Sequence, residues 1–199
     1  MQTWLKPVVL EGNLVKLAPL ETTHVAALLE AASDGNLWEL WYTSVPSEET
    51  VESYVKTALA EQKNGLALPF VIIDKKSGDV VGTTRYLNVD SKNKRVEIGA
   101  TWYAKRMQRT GINTECKYML LKHAFETLNT IAVEFRTHFH NHPSRNAILR
   151  LGAKQDGILR NHSIDHNGFL RDTVVFSILN SEWPTVKKSL EFKMEKSYS

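Results

Sequence analysis

Between residues 95 and 128 the chain reads as a strand-like run, "RVEIGATWY", a short polar turn bearing one glycine, and a helix-like run, "ECKYMLLKHAFETL". A strand that feeds through such a turn directly into a helix constrains both fold and chemistry. The first N–H groups of the helix have no intrahelical partner, and the helix dipole favours negative charge at that end. Together they make a seat for a pyrophosphate. In the turn itself, Gln108-Arg109-Thr110-Gly111-Ile112-Asn113-Thr114, Gly111 allows close approach of a phosphate to the backbone, and Asn113 or Thr114 can cap the helix. No Gly-Lys-Ser/Thr follows, and the three glycines of a dinucleotide fingerprint are missing, so neither of those nucleotide loops is present. Taken alone, the turn is a weak signal, and an ordinary strand-to-helix connection is the commoner source of such a pattern.

The periodicity on either side supplies the remaining elements. "LEGNLVKLAPL" alternates as a first strand. Val25, Leu28, Leu29 and Ala32 form the apolar stripe of a helix over 22–33. A second helix is predicted from Ser47, an N-cap followed by Glu48 and Glu49, with Val51, Tyr54, Val55, Ala58 and Leu59 facing the core. "LPFVIID", "DVVGTTRYLNV" and "KRVEIGATWY", joined by "KKSG" and "DSKN", predict a three-strand antiparallel meander. The helix after the phosphate turn should run over about 112–128, with Leu121, Ala124, Phe125 and Leu128 inward and Glu115, Lys122 and Glu126 wet. "IAVEFRTHF" is a strand with Ile131, Val133, Phe135 and Phe139 on one face. Pro143 suits the start of a short helix, and Gly152 the position just past its end. A hairpin about "DHNG" and a last helix packing Trp183 complete the order β, α, α, β, β, β, α, β, α, β, β and a final helix. Between the first two helices, "DGNLWELWYTSVP" is an irregular aromatic-rich connection.

Composition narrows the class. A chain of 199 residues is read as one domain over 1–199, long enough to bury a core. Its net charge of +3 falls short of the dense basic stripe of a nucleic-acid binder and suits a local site for an anion. The one cysteine, Cys116, excludes an intrachain disulfide framework and fits a reducing, cytoplasmic setting. Lys6, Pro7 and Glu11 interrupt the N-terminus before a secretory core could form, and no membrane-spanning apolar run exists. Seven histidines raise the question of a metal, with His138, His140 and His142 in "HFHNH". Positions 138 and 140 share a strand face, yet no fixed third ligand is evident, and no metal is expected.

Two segments carry a resemblance. "QRTGIN" resembles the Q/R-x-x-G-x-G/A acetyl-CoA loop of the GCN5-related N-acetyltransferase (GNAT) superfamily. "NHPSRNAILRLGAKQDGILR" resembles its N-x-x-S…LGF…G segment. The subgroup most resembled is the RimJ/RimL-like ribosomal-protein N-acetyltransferases, over nearly the whole chain from "LEGNLVKLAPLETTH" to "DTVVFSILNSEWPTVKKSL". The implied fold is α+β: a mixed, mostly antiparallel twisted sheet of about seven strands flanked by helices, splayed between its fourth and fifth strands. One departure stands at Asn113, where Gly or Ala is usual; Asn tolerates positive φ better than most residues.

The resemblance also implies roles. Acetyl-CoA would be a co-substrate held by the loop Gln108, Arg109, Thr110, Gly111, Ile112, Asn113 and Thr114. Arg106 and Arg109 would be phosphate partners. Backbone groups of Ile98, Gly99, Ala100, Thr101 and Trp102, freed by the splay, would hold the pantetheine arm and supply the donors for charge on the acyl oxygen. Asn141 and Ser144 would touch the cofactor arm, with Ser144 as a proton donor, although Asn141 also reads as a plain helix cap. Glu97, alternating out of the Val96, Ile98, Ala100 face, is the candidate general base, because an alkylammonium must lose a proton before it attacks. Its structural alternative is a surface glutamate paired with Arg95 or Arg85. His140 is the auxiliary base, and Cys116 is a poor nucleophile on a helix flank. The expectation is direct acetyl transfer to a primary amine, a protein N-terminus or a small molecule, with no membrane or nucleic-acid partner and a homodimer left open. Two rivals stand beside it: a non-catalytic acyl-CoA-binding or regulatory module, and a ribosome- or nucleic-acid-associated binding protein.

Overall fold

The computed structural model describes residues 4–165 and 168–198. Eight strands form a single sheet: β1 (Leu10–Glu11), β2 (Val15–Pro19), β3 (Leu68–Asp74), β4 (Val80–Asp90), β5 (Arg95–Tyr103), β6 (Ala132–His138), β7 (Lys154–Ile164) and β8 (Leu170–Leu179). Their order is β1-β2-β3-β4-β5-β6-β8-β7. Neighbours are antiparallel except β5 and β6, which run parallel. Five helices flank the sheet: α1 (Val25–Ser33), α2 (Val51–Lys63), α3 (Ile112–Lys122), α4 (His142–Leu151) and α5 (Trp183–Tyr198).

Alternation along the strands divides the core in two. Phe70, Tyr86, Ile98, Phe135 and Phe176 point toward α3, α4 and α5 and bury against Leu120, Ile148 and Leu190. Val71 and Trp102 point the other way, onto Leu28 and Ala32 of α1 and Val55 and Ala58 of α2. Trp183 stacks on Phe125 with ring centroids 5.3 Å apart, so the last helix is anchored as its sequence implied. α4 begins at the Asn141 cap with Pro143 in its first turn and stops at Gly152, whose φ of 101° is the left-handed conformation glycine adopts freely.

Several expectations shift. The predicted first strand is two, β1 and β2, folded back on each other at residues 12–14, which brings the sheet to eight. α2 starts at Val51, because Ser47 closes a hydrogen-bonded turn in front of the helix, accepting at its carbonyl from Thr50 and Val51. The helix after the phosphate turn is α-helical only to Lys122 and continues as a wider π turn over His123–Thr127. Ile131 precedes β6 and is exposed rather than buried. Within the "DHNG" turn, residues 166 and 167 lie outside the described residues; the strands on either side do pair as a hairpin.

Glu115 is the clearest reversal. Placed on the wet face by periodicity, it is 3% exposed. Its carboxylate accepts from the backbone N–H groups of Asn13, Leu14 and Val15 at 2.7, 2.7 and 2.9 Å. It thus pins the β1–β2 turn to the first turn of α3. A Cβ at Gly12 would lie 2.5 Å from that carboxyl group, so glycine is required there.

Candidate active site

β5 and β6 pair only at Arg95–Glu97 opposite Ala132–Glu134, after which they part. Parting strands leave one edge of β5, from Ile98 onward, without its sheet partner, and a sheet edge presents rows of free N–H and C=O groups. The cleft opens into a cavity of about 1800 Å³ that Ile98, Gly99, Ala100, Thr101, Trp102 and Tyr103 line. On the other side of β5 the register to β4 slips between Thr83–Trp102 and Arg85–Gly99. One residue of β4 therefore faces two of β5. Ala100 sits in this bulge at φ 47°, a strained backbone for a residue with a side chain, costing about 1–2 kcal/mol.

The phosphate turn lies at one end of this cavity. Gln108, Arg109, Thr110 and Asn113 line it, while the side chains of Ile112 and Thr114 are buried. The helix is capped by neither Asn113 nor Thr114. Gly111 is the N-cap residue, in ordinary helical geometry at φ −67°, and the left-handed residue of the turn is Arg109 at φ 61°. Thr110 Oγ1 accepts from the Ile112 N–H at 3.4 Å. Asn113 has a different use: its Oδ1 accepts from Tyr103 Oη at 3.0 Å, fixing the end of β5 to the start of α3. Arg106 turns away and pairs with Asp34 and Asp79 at 3.1 and 3.7 Å.

Beyond the parting point, Glu97 is 6% exposed yet lines the cavity. It pairs with neither Arg95, which binds Glu134, nor Arg85, which binds Glu61. Instead Asn88 Nδ2 donates to Glu97 Oε2 at 2.6 Å, and Arg136 Nε stands 3.5 Å from the same oxygen. Asn88 reaches it because its own φ is 46°, in the stretch where the β4–β5 register slips a second time. Burial pushes the Glu97 carboxyl up from its ordinary range; Asn88, Arg136 and Arg171 oppose this, and Glu134 adds to it. Gly99 leaves this carboxylate room, since a Cβ there would lie 2.8 Å from Oε1.

Asn141 and Ser144 line the same cavity. Asn141 Oδ1 accepts from the Ser144 N–H at 3.0 Å, so the helix-cap role is realised. His140 does not join them: it is exposed and packs beside Trp41, with centroids 5.9 Å apart. His138 Nδ1 accepts from the His140 N–H, and among the described residues no three His, Cys, Asp or Glu side chains converge as metal ligands. Cys116 is fully buried, and burial pushes its thiol up. Elsewhere on the cavity wall α2 contributes Ser53, Tyr54 and Thr57, the connection between α1 and α2 contributes Trp38 and residues 42–46, and the β7–β8 hairpin contributes His162 and Arg171; α1 contributes none.

Two wall residues escaped sequence reading. Lys117, 6% exposed, extends beneath the bulge, donating to Thr101 Oγ1 at 2.5 Å and Thr84 Oγ1 at 3.4 Å. Burial pulls its amine down to about 8. Arg85 lies on the opposite face of β4, with its guanidinium 4.4 Å from the Tyr54 ring centre. Its only sequence signal is one charge inside the apolar run "VVGTTRYLNV".

The parted strands, the loop before α3 and its free N–H groups form a donor set that suits the phosphates and amide-rich arm of acetyl-CoA. The comparisons agree with this geometry. Residues 15–154 match the acetyltransferase (GNAT) domain model. The uncharacterized N-acetyltransferase p20 of Bacillus licheniformis is 30% identical over 119 residues, 60% of this chain; the chain spans 66% of that relative, just under two thirds of its length. The crystal structure of a GCN5-related N-acetyltransferase from Brucella melitensis superposes with a TM-score of 0.85 at 29% identity, covering 96% of this chain and 86% of that one. RimJ of Mycobacterium smegmatis, solved with CoA-disulfide, shares the fold at a TM-score of 0.76 and 24% identity, over 94% and 93% of the two chains. On its domain match, its fold and the cleft between its parted strands, the chain belongs to the GNAT family of acetyltransferases.

Proposed function

We propose that the protein is an acetyl-CoA-dependent N-acetyltransferase that acylates a primary amine directly, with Glu97 as the general base. The observation that carries this is the buried Glu97 carboxylate on the cavity wall at the point where β5 and β6 part. Acetyl-CoA supplies an electrophilic acyl carbon. Gln108, Arg109 and Thr110, with the N–H groups opening α3, hold its phosphates. Backbone groups of Ile98 to Trp102 orient its arm and provide donors for charge on the acyl oxygen. Asn141, already engaged through Oδ1, retains its amide N–H groups for the arm, and Ser144 stands one helical turn away as proton donor. Glu97 takes the proton of the incoming ammonium, directly or through one water. Its raised pKa suits that work, because a base is most effective when its pKa approaches the working pH. Cys116, sealed in the core, leaves transfer without an acyl-enzyme.

The test is thiol release from acetyl-CoA against a panel of amines. Glu97→Gln should leave acetyl-CoA affinity unchanged while lowering kcat by about 10²- to 10⁴-fold at neutral pH. The acidic limb of the parent's pH profile should lie above the ordinary glutamate range and vanish in the variant. A loss under about threefold across pH 6 to 9 removes Glu97 from the role.

A further inference from the structure

The cavity wall carries a charge pattern that the transfer reaction does not require. Among the cavity's lining residues are six basic side chains, Arg85, Arg109, Lys117, Arg136, Arg150 and Arg171, and one acidic one, Glu97. Arg109 belongs to the phosphate end. Arg85 does not: it projects from β4 on the face covered by α2, directly across from Gly99, just as Leu87 lies across from Glu97. Arg85 and Glu97 therefore occupy one face of the sheet, two residues apart along paired strands.

Arg85 is 5% exposed, and its surroundings satisfy little of it. Its guanidinium lies over Tyr54, whose Oη accepts from Trp102 Nε1 at 3.4 Å. Nη1 donates to Glu61 Oε2 at 3.3 Å. Glu61 is itself partly solvated, so the pair is a weak one. Nε is buried with no hydrogen-bond partner among the described residues. Buried donors are nearly always paired, and a guanidinium offers five N–H groups in a rigid fork matched to a carboxylate. A structural tether between α2 and β4 would not need to hold this fork at the wall of a cavity with its Nε left without a partner.

We infer that Arg85 binds a carboxylate of the acceptor, so that the substrate is a small amine carrying a carboxylate close to its amino group, with the amine directed to Glu97 and the carboxylate to the Arg85 fork. This rests on the acetyltransferase reading above and narrows it. Polyamines and polycationic antibiotics call for an acidic wall, and away from the phosphate end the lining offers five basic side chains against the single carboxylate of Glu97. Trp38, Tyr42, Tyr54 and Trp102 on the same wall favour an acceptor with an apolar or aromatic side chain.

The test compares matched acceptors that differ only in charge: phenylalanine against phenylalaninamide, and the peptide amides Glu-Ala-NH2 against Gln-Ala-NH2, with spermidine as the cationic comparison. Rates are expressed per unprotonated amine. Phenylalanine should exceed its amide by about 10- to 100-fold in kcat/KM, the range of a hydrogen-bonded charge, with spermidine below both. Preference for Glu-Ala-NH2 over Gln-Ala-NH2 in place of the phenylalanine pair would move the carboxylate from a free amino acid to an acidic peptide N-terminus and overturn the small-molecule assignment. Arg85→Gln should reduce the discrimination to under about threefold with acetyl-CoA affinity intact, and Arg85→Lys should restore part of it. An amide as good as the acid in the parent, or undiminished discrimination in both variants, overturns the inference. A binding arm needs no turnover. N-acetylphenylalanine and its amide are titrated into the CoA-saturated parent, where the acid should bind at least about tenfold tighter. Tighter acid binding that Arg85→Gln abolishes, without turnover of any amine, would sustain the Arg85 assignment and refute the transferase reading; equal binding of acid and amide refutes the Arg85 assignment.

Discussion

Lys117 offers a measurement in which structure sets both sign and size. Its ammonium is enclosed beneath the β5 bulge, where it donates to two threonine hydroxyls and, among the described residues, to no carboxylate. Burial brings its pKa from the ordinary 10.5 to about 8. At about 1.4 kcal/mol for each pH unit, that interval means the folded state holds the charge about 3 kcal/mol less favourably than the unfolded chain. The unfolded chain binds the extra proton between pH 8 and 10.5. Stability should therefore rise with pH across that window and carry the full penalty below pH 8. Lys117→Met keeps length and removes the charge. The two hydroxyl contacts are lost, at about 1 kcal/mol each. Thr84 and Thr101 still bond each other at 2.8 Å, so neither hydroxyl is orphaned. The variant should then be more stable than the parent by about 1 kcal/mol at pH 7 and less stable by about 2 kcal/mol near pH 10.5. Urea unfolding at pH 7, 8, 9 and 10 measures this, and the parent–variant difference cancels the other titrating groups. A difference that does not change with pH refutes the account of Lys117 as a buried charge.

Three further outcomes follow from single residues. Glu115→Ala removes the acceptor of three backbone N–H groups and should destabilise the chain by about 3–5 kcal/mol, read by urea unfolding; a loss under about 1 kcal/mol would mean water replaces the carboxylate. Arg109→Gly relieves the left-handed backbone at φ 61° while deleting a cation, so the melting temperature should hold or rise as acetyl-CoA affinity, followed by calorimetry, falls about 3- to 30-fold. Cys116→Ala, in a fully buried pocket, should cost about 1–2 kcal/mol of stability and leave turnover largely intact; abolished turnover in a folded variant, with acetyl-cysteine trapped in the parent, would require a covalent route.

The sequence by itself determined the elements whose instructions are local. The meander of β3 to β5 follows from period-two alternation between turn clusters. α4 follows from Pro143 at its start and Gly152 at φ 101° past its end, because proline and glycine restrict or free the backbone whatever surrounds them. The turn at 108–114 was legible as a break between a strand pattern and a helix pattern, although its left-handed residue proved to be Arg109 and not Gly111. Tertiary structure decided what depends on groups far apart in the chain. Ser47 reads as a helix cap from its neighbours, yet the chain closes a turn there and the helix begins four residues later. Glu115 has the spacing of a wet residue and is buried because the β1–β2 turn, about a hundred residues away, brings it three N–H donors. Asn113, unusual for its loop position, answers to Tyr103 rather than to any demand for positive φ. Glu97 was identified by type and alternation, but its Asn88 partner comes from a register slip in β4 that no periodicity announces, and its raised pKa from burial by segments distant in the chain. Arg85 meets Tyr54 and Glu61 only once α2 has packed on the sheet. A side chain's type and its strand face are short-range properties; its partners, and with them its charge, are settled by which distant segments the sheet brings alongside.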